Sequence, residues 1–245
     1  MIKTEKYIVG TERGEAYKSL YSMTPQNDEY MHMRMSGALT DVCRDIYFVT
    51  HEGETGYSRI WMCYGNHDGA VGNWGAVYTP DEYRGKGYCA MTLDFCFDEI
   101  KKAKEKPLAL FCSAGSIAQV YKRYGFVPAI KGTESGPMYC PLGDSPKTFA
   151  EFCEQYYTET DELIVVDADF GRRNEIDCLL RFALIDIGES FGICGENDLY
   201  VLLMKQPDRA KIVLTKEGKT VGWSVDGVMQ LHPKYRGICK ITQNL

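Results

Sequence analysis

Six consecutive residues, Arg84-Gly85-Lys86-Gly87-Tyr88-Cys89, combine two glycines, two cations and the start of a long amphipathic run. The first N–H groups of a helix have no partner inside it, and glycine leaves them unscreened by side chains. Those groups lie at the positive end of the helix dipole, where Arg84 and Lys86 add charge of the same sign. The chemistry that suits such a cradle is the binding of a diphosphate. A tight strand-to-helix turn with solvated cations would use the same residues, so the flanking segments have to decide. Neither G-x-x-x-x-G-K-[ST] nor G-x-G-x-x-G occurs here, which sets aside the two commonest phosphate loops.

The elements around this turn can be placed by periodicity. Leu93, Cys96, Ile100 and Ala103 recur at three- and four-residue spacing after Cys89, with Asp94, Asp98, Lys101 and Lys102 on the other side. That spacing predicts a helix packed on a sheet, with lysines in its last turn and Pro107 beyond its end. Upstream, the pattern predicts a strand at Tyr7 to Val9 and helices in "GEAYKSLYSM" and "DEYMHMRMSGALTDV". Strands follow at Asp45 to Thr50, in "YSRIWMCYG" and in "WGAVYT". Downstream come the strand "LALFC", a helix around "SIAQVYKRYG" and strands in "FVPAIKG" and "GPMYCPL". Hairpins mixed with a βαβα unit imply an α/β (α+β) fold, one sheet with helices on its faces. Turn residues in "PLGDSPKTF" place a boundary near residue 143.

Composition narrows the function classes. A 245-residue chain that is 44% hydrophobic can bury a substantial core. Its net charge of −6 argues against a nucleic-acid partner, whose phosphates need a basic face, and leans towards a cationic substrate. No apolar run approaches the ~20 residues of a membrane span, and "MIKTEKYIVG" lacks a signal-peptide core, so the expected location is cytoplasmic. The ten cysteines form no C-x-x-C pair and only four histidines are present, so reduced buried thiols and no metal are expected.

Placed directly after "GAVYTP", residues Arg84 to Cys89 resemble the [RQ]-x-x-G-x-[GA] signature of the GNAT superfamily, the acyl-CoA N-acyltransferases. Cys89 stands where that signature has Gly or Ala. "VYKRYGFVP" resembles the second motif of the superfamily, a helix ending in Y-x-x-x-G-F, with Tyr121, Gly125 and Phe126 falling on it. The resemblance covers residues 1 to 142 and implies a mixed, mostly antiparallel sheet flanked by helices. It implies that the main chain of Val77, Tyr78 and Thr79 pairs with the pantetheine arm of acetyl-CoA. The amides of Arg84, Gly85, Lys86, Gly87, Tyr88 and Cys89 would hold its pyrophosphate. It further implies direct attack of a neutral amine, of a small molecule or peptide, on the thioester, with Tyr121 as the acid that protonates the departing thiolate. An Asn common in the superfamily two turns before that Tyr is Ala114 here, with Ser113 and Ser116 as possible substitutes. The alternative is a GNAT shell that binds CoA as a sensor or scaffold without turnover. The base is open among His67, Asp68, Glu52 and an ordered water chain, and Tyr30, Met31, Met33 and Met35 either line the acceptor pocket or form a core stripe.

The second region, 144–245, echoes the first. "VTHEGETGYS" and "LTKEGKTVGWS" share T-x-E-G-x-T, and "PDEYRG" returns as "HPKYRG", in the same order. The second copy lacks the second glycine, since Ile238-Cys239 follows Gly237, and the diphosphate-facing helix has no counterpart. It reads as a smaller, degenerate α/β half that packs on residues 1–143, shapes the acceptor pocket or forms a homodimer, and does not bind CoA.

Overall fold

Seven strands form a first sheet: β1 (Lys3–Ile8), β2 (Cys43–Glu52), β3 (Thr55–Gly65), β4 (Val71–Tyr78), β5 (Ala109–Ala114), β6 (Val127–Pro128) and β7 (Gly136–Pro141). The computed structural model describes residues 1–23, 29–65, 71–104, 106–191 and 199–243. The spatial order is β1-β2-β3-β4-β5-β7-β6, antiparallel throughout except for the parallel pair β4–β5. The middle of β2 and β3 is buried on both faces, and there the sequence is continuously apolar, from Ile46 to Val49 and from Ile60 to Cys63.

One face is covered by α4 (Tyr88–Lys102), the helix that the spacing predicts; before it come α1 (Glu12–Ala16), α2 (Lys18–Tyr21) and α3 (Glu29–Ser36) between β1 and β2. Leu93, Cys96, Phe97 and Ile100 of α4 bury against Ile46, Phe48, Ile60 and Met62, and the helix stops where Ala103 turns extended. The helix expected over "GEAYKSLYSM" is instead α1 and α2, broken at Tyr17, which leaves the helical region at φ −114° and ψ 20°. The helix expected to run to Val42 ends at Ser36, because Gly37 adopts φ +84°. Helix α5 (Ala118–Lys122) carries the second motif.

The remaining chain adds α6 (Phe149–Tyr156), which Thr148 and Glu151 start with a reciprocal capping box. Strand β8 (Leu163–Asp167) follows, then a wide-turn helical segment Glu175–Leu180 that continues into α7 (Arg181–Asp186). A second sheet of β8, β9 (Ala210–Thr215), β10 (Thr220–Val225), β11 (Val228–Leu231) and β12 (Ile241–Gln243) runs in the order β11-β10-β9-β8-β12. In this sheet β8 to β11 form an antiparallel series with helical segments between the first and second strands, as β1 to β4 do. The two T-x-E-G-x-T stretches each form a hairpin connection, and "PDEYRG" and "HPKYRG" each form one short helical turn after a strand.

Three apolar clusters make the core. One lies under α4; a second packs α2 and α3 on β1 to β3 and reaches Ile176, Leu180 and Trp223; a third joins Phe111 and Tyr139 to Phe149, Phe152, Leu179, Phe182 and Val213. The segment Glu175–Leu180 contacts β4 and β5 of the first sheet and β10 of the second. Backbones approach closely at one seam: any side chain at Gly65 would run into the carbonyl of Gly171.

Candidate functional site

Strands β4 and β5 start side by side and then part. Their ladder consists of Val71↔Ala109, Gly72↔Leu110 and Asn73↔Phe111. Beyond Asn73, β4 continues beside β3 as far as Tyr78, while β5 follows β7 as far as Ala114. The register of β4 against β3 slips between Trp61↔Gly75 and Arg59↔Tyr78, which inserts one extra residue, and Ala76 sits there at φ +46°. The wedge so opened holds a cavity of about 400 Å³ lined by Gly75, Ala76, Val77 and Tyr78 of β4 and by Cys112 and Ser113 of β5. Tyr30 and Met31 of α3, Arg59 and Trp61 of β3, and Asp177, Cys178, Arg181 and Phe182 of the second region complete its wall.

At the end of β4, residues 79–87 turn into α4. Gly85 and Gly87 take φ +74° and +86°, and beyond each lies open space where a Cβ would point. Gly87 is the N-cap and makes no side-chain cap bond, so the first amides of the 15-residue helix face outward. Thr79 Oγ1 donates to Ser58 Oγ at 3.0 Å, and Arg84 Nε donates to the Thr79 carbonyl at 3.1 Å. Arg84 also pairs with Asp81 at 2.8 Å, and Lys86 lies 5.6 Å from the Tyr83 ring. Tyr57 stacks on Tyr88 at 4.5 Å and meets Tyr83 edge-on at 4.8 Å, which fixes both ends of the turn. Cys89 is turned inward: burial raises its thiol pKa, against hydrogen bonds with Ser58 and Thr79 that lower it. The signature cysteine therefore leaves the amide face clear.

Tyr121 is buried on α5 with its ring edge-on to Trp74 at 4.6 Å. Burial raises its pKa, with Cys112 and Cys89 in electrostatic reach adding to the effect, so it stays protonated at neutral pH. Trp74 and Cys112 both line the cavity, which places Tyr121 directly behind its wall. Ala114 is buried in the β5–β7 ladder; Ser113 lines the cavity, whereas Ser116 is exposed ahead of α5.

Of the acceptor-side residues, Tyr30 and Met31 line the cavity and Met35 lies in the core. Glu52 sits in the exposed β2–β3 hairpin, paired with the terminal ammonium of Met1 and lowered in pKa by it. His67 and Asp68 lie outside the described residues. Among the described residues no cluster of three His, Cys, Asp or Glu could hold a metal, no cysteine is in a disulfide, and no helix is long and apolar enough to cross a membrane.

A buried ionic layer beneath the cavity escapes the sequence reading. The Arg34 guanidinium donates to Asp45 Oδ1 at 2.9 and 2.7 Å and to the Tyr30 hydroxyl at 2.9 Å, and Trp61 Nε1 donates to the same Asp45 oxygen at 2.6 Å. Asp177 accepts from Arg173 at 3.0 Å and pairs with Arg181 at 3.0 Å. Asn174 donates to the carbonyls of Cys63 and Val71, tying the second region to β3 and β4. The available signal was charge in apolar company: Arg34 within "MHMRM" and Asp177 within "EIDCLL".

No protein-family model and no curated protein matches the chain. Solved structures resemble part of it. An acyl-CoA N-acyltransferase from Pseudomonas aeruginosa aligns at 12% identity and TM-score 0.42 over 57% of this chain and 99% of that one. A GNAT-family acetyltransferase from Staphylococcus aureus aligns at 11% identity and TM-score 0.42 over 58% and 100%. A GNAT-family N-acetyltransferase from Escherichia coli in complex with CoA aligns at 15% identity and TM-score 0.41 over 59% and 84%.

Proposed function

We propose that the protein is an acetyl-CoA-dependent N-acetyltransferase that modifies a primary amine of a small molecule or peptide. The observation that carries this reading is the wedge between β4 and β5, which opens beside a glycine turn whose outward amides begin α4. In this reading acetyl-CoA supplies an activated acyl thioester. The residues present suit it: Gly85 and Gly87 leave room for a diphosphate against the amides, and Arg84 and Lys86 add compensating charge. On the side turned away from β3, where β5 has parted from β4, the main chain of Val77 and Tyr78, with Thr79 beyond it, offers an open strand edge to an amide-bearing arm. Tyr121 stays protonated one side chain behind the cavity wall and is assigned as the acid for the leaving thiolate, a role that needs its hydroxyl to come within hydrogen-bond reach of the sulfur when the substrates bind. Residues 1–143 carry the transfer site, and 144–245 form the degenerate half that closes the acceptor side through Asp177, Arg181 and Phe182. The free, mostly buried cysteines suit a reducing cytoplasm.

The test is isothermal titration with acetyl-CoA and CoA of the wild type and of Gly87→Glu. Glutamate at this left-handed position puts strain and a carboxylate into the cradle. Micromolar binding that falls at least ~100-fold in the variant supports the reading, and absence of binding to the wild type overturns it. Tyr121→Phe should keep CoA affinity and lower kcat by ~100-fold or more, in line with removal of a general acid. Unchanged turnover in that variant would remove Tyr121 from the mechanism.

A further inference from the structure

Among the described residues, the buried arginines are paired with carboxylates, with one exception. Arg34 holds Asp45, and Arg173 and the half-buried Arg181 share Asp177. Arg59 is only 3% exposed, yet the groups acting on it are the phenols of Tyr47 and Tyr78 and no carboxylate. Its Nε donates to the Met23 carbonyl at 2.7 Å, its guanidinium lies 5.7 Å from the Tyr47 ring centroid, and one Nη is buried without a hydrogen-bond partner. A buried cation without a counterion is unfavourable, and a side chain that lines a cavity can obtain the counterion from what binds there. Arg59 lines the cavity in the β4–β5 wedge.

The strand fixes which part of a ligand it would meet. Side chains alternate along β3, so Ile60 and Met62 face α4, while Arg59 and Trp61 face the opposite side, towards α3 and Tyr47. The diphosphate cradle is at the start of α4 and has its own cations, so Arg59 is left for the other reactant. Among the described residues, the charged groups lining the cavity are Arg59, Arg181 and Asp177, two cations against one anion, in a chain of net charge −6. That sign opposes the lean towards a purely cationic acceptor drawn from overall charge.

We propose that the acceptor is an amine that also bears a carboxylate, an amino acid or amino-acid-like compound, and that Arg59 is the residue that receives this carboxylate. The planar guanidinium fork matches a carboxylate in two parallel hydrogen bonds, and the aromatic wall of Tyr30, Trp61 and Phe182 takes the apolar part. This inference rests on the transferase reading and narrows its substrate class.

The experiment measures acetyl transfer from acetyl-CoA to L-amino acids and, in parallel, to their decarboxylated amines, such as phenylalanine with phenethylamine and leucine with isoamylamine. Products are followed by mass spectrometry. At least one amino acid should exceed its amine by roughly 100-fold in kcat/KM, the size expected of a charge-assisted pair in a buried site. Arg59→Met should bring that ratio close to one, and Arg59→Lys, which keeps charge but not the fork, should give an intermediate ratio. Melting temperatures establish that the variants fold, and quenching of Trp61 fluorescence by the amino acid gives a second readout of binding. Amines preferred over amino acids would overturn the inference and leave the transferase reading intact. So would a preference for succinyl-CoA over acetyl-CoA that disappears in Arg59→Met, which would assign the carboxylate to the acyl group. CoA binding without acetylation of any amino acid overturns the inference alone, and absence of CoA binding overturns both.

Discussion

Ala76 is held at φ +46° in the bulge of β4, one of two described non-glycine residues with positive φ. An L-residue there stores roughly 1–2 kcal/mol of strain, so Ala76→Gly should be neutral to ~1 kcal/mol stabilising and Ala76→Val more than ~2 kcal/mol destabilising, read from urea unfolding. His232 gives a separate handle. It stacks on Tyr157 at 4.1 Å, and burial, then Lys234 and Arg236, lower its pKa to about 4. The folded protein thus binds fewer protons than the unfolded chain, whose histidine titrates near 6.5. Stability from this group is complete above pH 6.5 and is lost as the pH falls towards 4. Melting temperatures at pH 7.5 and 5 should differ less in His232→Gln than in wild type. The glycine turn was legible in sequence because Gly85 and Gly87 are the residues that tolerate positive φ. Arg59 was not, because its lack of a counterion depends on chain segments remote in sequence.

At the level of elements, α4 was legible from start to stop because its apolar spacing, lysines and terminator all agree. The wedge was not, because parting of two strands depends on which neighbour each follows, and periodicity along one strand carries no such information. The short helices α1 to α3 differ in length from the pattern because the chain breaks at Tyr17 and turns at Gly37; α3, too short to be stable alone, is held by buried contacts, above all Arg34 with Asp45. This ion pair anchors α3 to β2. Asp45→Ala should cost ~3–5 kcal/mol by leaving the Arg34 cation buried, and the double variant Arg34→Met/Asp45→Ala should recover part of that loss in denaturant unfolding.

Across the whole molecule, the echo of T-x-E-G-x-T corresponds to matched hairpins in two antiparallel series, so the arrangement of the second half was partly legible. That the second half packs on the first was one of the expectations; which side chains make the seam was not legible. Phe111 and Tyr139 of the first sheet complete their packing only with Phe149, Phe152 and Phe182. A fragment of residues 1–143 should therefore aggregate or lack a cooperative melt, while co-expression with 144–245 should restore solubility. The position of the segment Glu175–Leu180 between β4, β5 and β10 has a consequence for synthesis as well. The first sheet emerges from the ribosome well before the helix that covers it. Until about residue 186 is released, the face of β4 and β5 that this segment covers has no partner, so folding of the first sheet is expected to complete only late in synthesis.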